Sequence, residues 1–192
     1  MHGSYGSTVP RIAAAVLAAG AGTRFGRPKA EVELAGERLV DRAVAVLRSA
    51  GGSPVLAVVR TGTSVPGAVV IENPDPDRGQ RSSLELAVAA AGDADALAVL
   101  LVDLPGIGAG AVAAVCGAWR PGRIAVARYA GRRGHPIVMA PALWAEALAL
   151  AGPDEGARAL LLARPDLVDE VDAPGDPADL DTPADLARWA AR

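Results

Sequence analysis

A short apolar run that leads directly into a glycine-rich, basic loop constrains this chain more than any other feature. The run, Ile12–Leu17, has the length of a strand and carries no polar side chain, as expected for a strand buried on both faces of a sheet. Three glycines, Arg24 and Lys29 follow it. Glycines let backbone amides approach an anion closely, and fixed cations add attraction. The sequence therefore predicts a polyphosphate-binding loop at the exit of the first strand.

Two common phosphate-binding motifs do not fit this loop. The dinucleotide fingerprint G-x-G-x-x-G requires its third glycine one position before Gly26. Asp41 lies at roughly the distance of the ribose-binding acid, but inside an apparent helix rather than at a strand end. The P-loop requires Ser or Thr after its lysine, whereas Lys29 precedes Ala30. A simple glycine-rich turn remains as an alternative, although a turn requires neither this spacing nor the terminal lysine.

Composition indicates one globular domain with an aliphatic core. The chain has 192 residues, of which 51% are hydrophobic and only 3% aromatic, so Ala, Val and Leu must fill the interior. We expect a disordered tail over residues 1–10 and a single domain over 11–192. The net charge of −3 argues against a nucleic-acid-binding surface. A lone cysteine, Cys116, excludes an internal disulfide and fits a reducing compartment.

Neither a membrane span nor a secretory signal is expected. No apolar run approaches the roughly 20 residues that a transmembrane helix needs. The first residues are small and polar, without a basic segment or an apolar segment typical of a signal peptide. We therefore predict a cytoplasmic protein that contacts no membrane.

Apolar strand-like segments alternate with helical stretches along the whole chain. This alternation predicts an α/β fold, a three-layer α/β/α sandwich with a mostly parallel, Rossmann-like sheet. Residues 132–136 are expected to form a basic loop, and Ser82 with Glu85 is expected to form a capping box that starts a helix. The predicted strands are 12–17, 55–59, 69–71, 96–102, 124–129, 137–139 and 168–171, and the predicted helices are 39–47, 82–91, 109–119, 142–150, 155–163 and 183–190.

Aspartates follow the apolar strand 96–102 and recur near the carboxyl terminus. A carboxylate at the end of a buried strand is costly unless it is paired or binds a metal, so Asp103 is a candidate Mg²⁺ ligand. A cap for the helix near Gly108 is the structural alternative. Asp179 and Asp181 offer a second carboxylate, although both could also be solvated loop acids. In open α/β sheets ligands bind beyond the carboxyl ends of the strands, so these groups can converge there.

The complete loop pattern L-A-A-G-x-G-x-R-x-G-x-x-K resembles that of the MobA-like NTP transferases. This family includes the molybdenum-cofactor guanylyl- and cytidylyltransferases. Family members carry Asp-x-Pro after the fourth strand and Asp/Asn-x-Asp/Asn-Thr-Pro near the carboxyl terminus, both of which hold the metal. The segments 103–105 (Asp-Leu-Pro) and 181–183 (Asp-Thr-Pro) match these motifs. The resemblance thus implies that Asp103 and Asp181 bind Mg²⁺.

Further motifs resemble the molybdenum cofactor cytidylyltransferase branch most closely. That branch has Asn-Pro-x-Trp-x-x-Gly-x-x-x-Ser after the third strand, and residues 73–83 match it except that Pro76 replaces the aromatic residue. Residues 134–136 (Gly-His-Pro) match a second motif, and residues 152–158 match Gly-Asp-x-Gly-Ala-Arg with one additional residue. These matches run in the family's order over nearly the whole chain.

The resemblance implies a Mg²⁺-dependent nucleotidyltransferase that moves a cytidylyl group from a nucleoside triphosphate to a phosphorylated acceptor and releases pyrophosphate. Leu-Ala-Ala-Gly is associated with CTP, and Leu-Ala-Gly-Gly with GTP, so CTP is favoured. Molybdopterin is the expected acceptor, and a molybdoenzyme or its chaperone the expected protein partner. Implied catalytic residues are Arg24, Lys29 and Asp103; implied nucleotide-binding residues are Leu17, Ala18, Ala19, Gly20, Gly22, Lys29, Asn73 and Ser83; implied acceptor-binding residues are Ser82, Arg133 and His135.

Several alternatives stay open at this stage. Other relatives transfer nucleotides to phospholactate, phosphoenolpyruvate, or sugar and polyol phosphates, and the departure at Pro76 leaves the acceptor undetermined. Some MobA-like relatives are oxidoreductases that use a nicotinamide cofactor. A non-catalytic nucleotide-binding module is the third possibility, against which Lys29, Asp103 and Asp181 argue.

Overall fold

A computed structural model describes residues 9–152 and 155–192 of the chain. Residues 1–8 of the predicted tail, and residues 153–154 of the Gly-Asp-x-Gly-Ala-Arg match, lie outside the described part. The strands are β1 Ile12–Leu17, β2 Glu33–Leu34, β3 Glu37–Arg38, β4 Val55–Arg60, β5 Val69–Asn73, β6 Ala96–Leu101, β7 Ile124–Tyr129, β8 Arg132–Met139 and β9 Val168–Asp172. The α-helices are α1 Leu39–Ser49, α2 Gln80–Ala90, α3 Ala109–Ala118, α4 Pro141–Leu150, α5 Arg158–Ala163 and α6 Pro183–Ala190.

Seven strands form one central sheet in the order β5-β4-β1-β6-β8-β7-β9. All neighbours pair in parallel except at β8, which runs antiparallel to both β6 and β7. The small strands β2 and β3 form a separate hairpin. The expectation of a mostly parallel α/β sheet is therefore confirmed.

The sheet is covered by helices on both faces, which produces three layers. On one face, α1 and α3 pack over alternate residues of β1 such as Ala14 and Val16, and Trp189 of α6 joins them. On the other face, α2, α4 and α5 pack over the intervening positions, including Ala13 and Ala15. Small strand residues let the helices approach closely, which is why a core with so few aromatic side chains can still be filled.

The basic segment 132–136 is not a loop, as the sequence suggested, but the first half of β8. A tight turn joins β7 to β8, and both of its central residues, Ala130 and Gly131, have positive φ angles of 46° and 80°. Such turns usually carry Asn-Gly or Asp-Gly, so alanine in the first position concealed the hairpin. Because β8 runs antiparallel to β6 and β7, its first half lies at the carboxyl ends of these two strands. The basic residues of β8 therefore lie at the sheet edge where ligands were expected to bind.

The predicted capping box at Ser82 is also wrong. Helix α2 begins two residues earlier, at Gln80, with Gly79 at the N-cap position and no side-chain cap. Ser82 instead donates a hydrogen bond from Oγ to the Gly79 carbonyl at 2.8 Å, and Glu85 accepts one from Arg81 at 2.9 Å. A helical Ser that bonds back to the preceding turn cannot also cap that turn.

The remaining elements begin and end close to the positions expected from the sequence, except that the helix predicted over 155–163 starts at Arg158. No helix in the described ranges combines the length and the apolarity needed to cross a bilayer.

Helix α6 begins with a complete capping box. Thr182 Oγ1 accepts from the amide of Asp185 at 3.2 Å, while the Asp185 carboxylate accepts from the amide of Thr182 at 2.8 Å. The same carboxylate accepts a hydrogen bond from the amide of Asp181. The cap therefore fixes the backbone that carries this aspartate.

Replacing Thr182 with alanine should lower the free energy of unfolding by about 1 kcal/mol, because the orphan amide of the first helical turn loses its acceptor. Urea denaturation measures this change, and Thr61→Ala on an exposed turn is the matched control. Equal midpoints for the two variants would show that the cap contributes nothing.

Candidate active site

The loop after β1 has the backbone geometry of an anion cradle. Gly22 has a φ of 59°, and a Cβ at this position would lie 2.1 Å from the carbonyl oxygen of Arg27, so only glycine fits. Among the described residues, no backbone acceptor is found for the amides of residues 19–22. Amides left without internal partners at a strand exit are available to bind phosphate oxygens.

Lys29 lies between the two aspartates that the sequence singled out. Its Nζ donates to Asp103 Oδ2 at 2.7 Å and also to Asp181 Oδ1. The two aspartates are far apart in sequence but are held together because the amide of Leu180 donates to the Asp103 carbonyl at 2.8 Å. Residues from three separate segments thus form one cluster at the carboxyl end of the sheet.

This cluster is partly shielded from solvent and carries one more negative than positive charge. The Lys29 side chain is only 16% exposed and that of Asp103 22%. Desolvation would lower the pKa of Lys29, but the charges and hydrogen bonds of Asp103 and Asp181 outweigh it and raise the pKa. Arg24 is 65% exposed and approaches Asp181 at 3.8 Å, so it adds positive charge at the rim.

The two carboxylates have the chemistry of a Mg²⁺ site. Asp103 Oδ1 is buried and has no hydrogen-bond partner within the described ranges. A buried carboxylate oxygen without a donor is costly unless a ligand completes it. No group of three or more His, Cys, Asp or Glu residues that could hold a metal occurs in that part of the chain. Two carboxylates nevertheless suffice for Mg²⁺, which takes its other ligands from water and substrate phosphates.

A cavity of about 330 Å³ opens beside this cluster and extends along the sheet edge. Lys29 and Asp103 line one end of it, and Ala19 and Gly20 form part of its wall. The complete lining is Leu17, Ala19, Gly20, Ala21, Lys29, Arg60, Pro76, Asp77, Gly79, Gln80, Ser83, Leu101, Val102 and Asp103. We call this space the first cavity; its size and its amide-lined wall suit a nucleotide.

Not every residue expected at the nucleotide lines the first cavity. Ala18 is buried in the core, and its amide donates to the Val58 carbonyl. Gly22 does not line the cavity; its positive φ sets the course of the loop. Asn73 is also buried, and its side-chain amide donates to the hydroxyls of Ser82 and Ser83 at 2.9 and 3.0 Å. Asn73 therefore positions Ser83, which does line the cavity.

Ser82, expected at the acceptor, lines none of the cavities described here. It is buried, and its hydroxyl both accepts from Asn73 and donates to a backbone carbonyl. The structure therefore gives Ser82 internal partners, and an acceptor-binding role for it stays an untested expectation.

A second cavity of about 400 Å³ adjoins the first and shares Leu101 and Gln80 with it. Its lining is mostly aliphatic, with polar groups at the rim; it comprises Gln80, Leu101, Val126, Arg133, Gly134, His135, Ile137, Gly156, Ala157, Arg158, Leu161 and Leu162. A third, more polar space of about 480 Å³ lies between β8 and residues 176–179 and shares Asp103 with the first cavity. Leu101 lines all three spaces.

His135 and Arg133, both expected at the acceptor, line the second and third spaces. Desolvation lowers the pKa of His135 to about 4, against the opposing influence of the Asp103 charge, so its imidazole is neutral at pH 7. Beside these two spaces, a neutral imidazole can donate one hydrogen bond to a bound molecule and accept one from it. Arg133 donates to Glu170 at 2.7 Å, which holds the guanidinium at the rim.

Three polar residues that line the first cavity, Arg60, Asp77 and Gln80, were not expected from the sequence. Arg60 is the last residue of β4, and Gln80 is the first residue of α2. The signal for Arg60 was present, because it is the polar residue that directly follows the apolar run 55–59. Gln80 carried no comparable signal, since its place between two cavities depends on where α2 begins.

Comparison with known proteins now identifies the family. Residues 14–168 match the MobA-like NTP transferase domain. Nicotine blue oxidoreductase of Paenarthrobacter nicotinovorans is 33% identical over 94% of this chain and 97% of its own length. A probable molybdenum cofactor guanylyltransferase of Opitutus terrae is 40% identical, over 62% of this chain and 61% of its own. The manganese complex of Rv0371c from Mycobacterium tuberculosis H37Rv superposes with a TM-score of 0.77 at 26% identity, covering 94% and 98% of the two chains. The chain therefore belongs to the family of MobA-like NTP transferase domains.

Proposed function

We propose that this protein transfers a nucleotidyl group, preferably cytidylyl, from a nucleoside triphosphate to a phosphorylated acceptor in a Mg²⁺-dependent reaction. The observation that carries the proposal is the cluster of Lys29, Asp103 and Asp181 at the end of an amide-lined cavity. Family membership supports nucleotidyl transfer as the type of reaction.

The reaction requires positioning and charge stabilisation more than proton transfer. A phosphate oxygen of the acceptor forms a bond to the α-phosphorus, and the bond from that phosphorus to the β-phosphate oxygen breaks, so pyrophosphate leaves. The attacking oxygen is already ionised, so no general base is needed. Arg24, Lys29 and the free amides of the loop would offset the charge that develops on the triphosphate.

Asp103 and Asp181 are the residues that would hold Mg²⁺. When bound, the ion supplies charge neutralisation at the α-phosphate and lowers the repulsion between the two anionic reactants. In this structure the Lys29 ammonium group pairs with both of these carboxylates. When the ion is bound, Lys29 would be released from them and could pair with the triphosphate instead.

The second cavity supports an acceptor with a sizeable apolar or planar body. Leu101, Val126 and Ile137 form its floor, and α5 closes it with Leu161 and Leu162. Small hydrophilic acceptors such as phospholactate or phosphoenolpyruvate would leave this aliphatic surface uncovered. A pterin with a phosphate tail matches it better, so molybdopterin is the acceptor that we propose, with a molybdoenzyme or its chaperone receiving the product.

Incubation of the purified protein with each nucleoside triphosphate, Mg²⁺ and molybdopterin tests the proposal through pyrophosphate release. We expect release that depends on both CTP and acceptor. A protein that releases no pyrophosphate with any triphosphate, in the presence of molybdopterin or the smaller phosphates, would refute nucleotidyl transfer.

Ala19 offers a specific prediction about the base. Its side chain is buried against the first cavity, where the methyl group would narrow the space available to a purine. Ala19→Gly should therefore raise kcat/KM for GTP about tenfold, the usual magnitude for one methyl group in a snug pocket. Pyrophosphate release measures the change, and Ala68→Gly, outside the cavity lining, is the control.

A second candidate function is reduction of a planar substrate by a nicotinamide cofactor. It is favoured by the similarity to nicotine blue oxidoreductase, which is 33% identical over nearly the full length of both chains. Hydride transfer does not require a lysine held between two carboxylates, so the cluster around Lys29 supports nucleotidyl transfer instead. Tryptophan fluorescence titrations with NADH and with CTP plus Mg²⁺ separate the two. Tight binding of NADH and not of CTP would favour the second candidate.

A further inference from the structure

We propose that Arg60 and Asp77 form a base-reading pair that selects cytosine over uracil. The inference rests on the proposed nucleotidyl transfer, because it assigns the two ends of the first cavity to the two ends of a nucleoside triphosphate. Both residues line that cavity; Arg60 lies outside the motifs on which the family resemblance depends, and Asp77 occupies a variable position of the motif at residues 73–83.

The order of strands places this pair at the end of the cavity opposite the phosphate-binding cluster. Asp103 follows β6, the glycine-rich loop follows β1, and Arg60 ends β4, in the spatial order β6, β1, β4. Adjacent strands lie about 4.8 Å apart, so Arg60 is roughly 10 Å along the sheet edge from Asp103. With the α-phosphate beside Asp103, the nucleoside spans the β1 exit beside Ala19, and the hydrogen-bonding edge of the base reaches the end of β4.

The pair retains groups that a base can use. Arg60 donates from one terminal nitrogen to Asp77 Oδ1 at 2.7 Å. Arg60 Nε also lacks a partner in the described part of the chain, but it is buried out of reach of solvent, so the terminal nitrogens are the donors left for a base. The Asp77 side chain is 79% exposed, and a single carboxylate oxygen engages Arg60. The cavity wall thus presents a guanidinium donor and a carboxylate acceptor side by side.

This arrangement complements cytosine and opposes uracil. Cytosine presents two acceptors, O2 and N3, beside the N4 amino donor, so the guanidinium can donate to the former while Asp77 accepts from the latter. Uracil has O4 at the position of the amino group, which would place a carbonyl oxygen against the carboxylate. The two pyrimidines have the same size, so this edge alone distinguishes them.

Asp77→Asn tests the assignment with little structural change. The asparagine carbonyl can still accept from Arg60, while its amide can now donate to O4 of uracil. Isothermal titration of the full chain with CTP and with UTP, each with Mg²⁺, gives the two affinities. We expect the preference of the native protein for CTP to fall at least about tenfold in the variant, the size of one well-made base contact.

Asp75→Asn is the matched control, because Asp75 lies two residues away in the same loop but outside the cavity lining. Its CTP preference should equal that of the native protein. An unchanged preference in Asp77→Asn, or equal binding of CTP and UTP by the native protein, overturns the base-reading pair and leaves nucleotidyl transfer standing. A native protein that binds NADH but neither pyrimidine triphosphate overturns both proposals.

Discussion

Asp103→Asn should reduce kcat/KM for nucleotidyl transfer about a thousandfold, the scale expected when a charged group that stabilises phosphoryl transfer is removed. The substitution keeps the size of the side chain but removes the charge from a group that has one buried oxygen without a partner. It should also weaken binding of Mn²⁺, a spectroscopic substitute for Mg²⁺, measured by electron paramagnetic resonance without nucleotide. Asp95→Asn, at the opposite end of β6, is the control.

Native thermal stability together with lost turnover would locate the defect in the site. Asp103→Asn with native activity would remove this residue from the chemistry, because a dispensable ligand does not bind the metal that the reaction uses.

Lys29→Met should also reduce kcat/KM about a thousandfold, because the triphosphate and the departing pyrophosphate lose a fixed cation in a shielded site. Its effect on metal binding should have the opposite sign. Without the ammonium, Asp103 and Asp181 face each other with no cation between them, so Mn²⁺ should bind more tightly than to the native protein.

The two variants therefore lose activity together while their metal affinities diverge. Arg27→Met is the control for the lysine, since Arg27 is an exposed cation on the same loop. Weaker Mn²⁺ binding in Lys29→Met would mean that the lysine supports the metal site rather than occupying the same carboxylates.

Much of the fold was predictable because its strands carry a simple signal. Strands buried on both faces, such as Ile12–Leu17 and Ala96–Leu101, are continuous apolar runs, and their predicted bounds agree with the structure to within one residue. The reversed strand β8 was only partly predicted, because its first half carries the basic side chains and its turn uses Ala130 at positive φ. That conformation is set by the pairing of β7 with β8 and not by local preference.

The candidate site divides in the same way. Asp103 was predicted because it follows a buried strand, Lys29 because it ends the basic glycine-rich loop, and Asp181 because its Asp-Thr-Pro segment resembles the family motif; the structure brings the three together. The positions of Asn73 and Gln80 could not be predicted from the sequence. Asn73 is buried behind Ser83, whereas Gln80 lies between two cavities, and both positions depend on where α2 begins.

The single reversed strand also separates the molecule by task. The residues that line the first cavity all lie between Leu17 and Asp103, on the parallel half of the sheet, whereas β7, β8 and α5 supply most of the lining of the second. If the second cavity binds the acceptor, as we propose, substitutions in the β7–β8 hairpin and α5 would alter acceptor specificity without disturbing the glycine-rich loop. Such modularity would let acceptors be exchanged on a scaffold whose nucleotide half is kept.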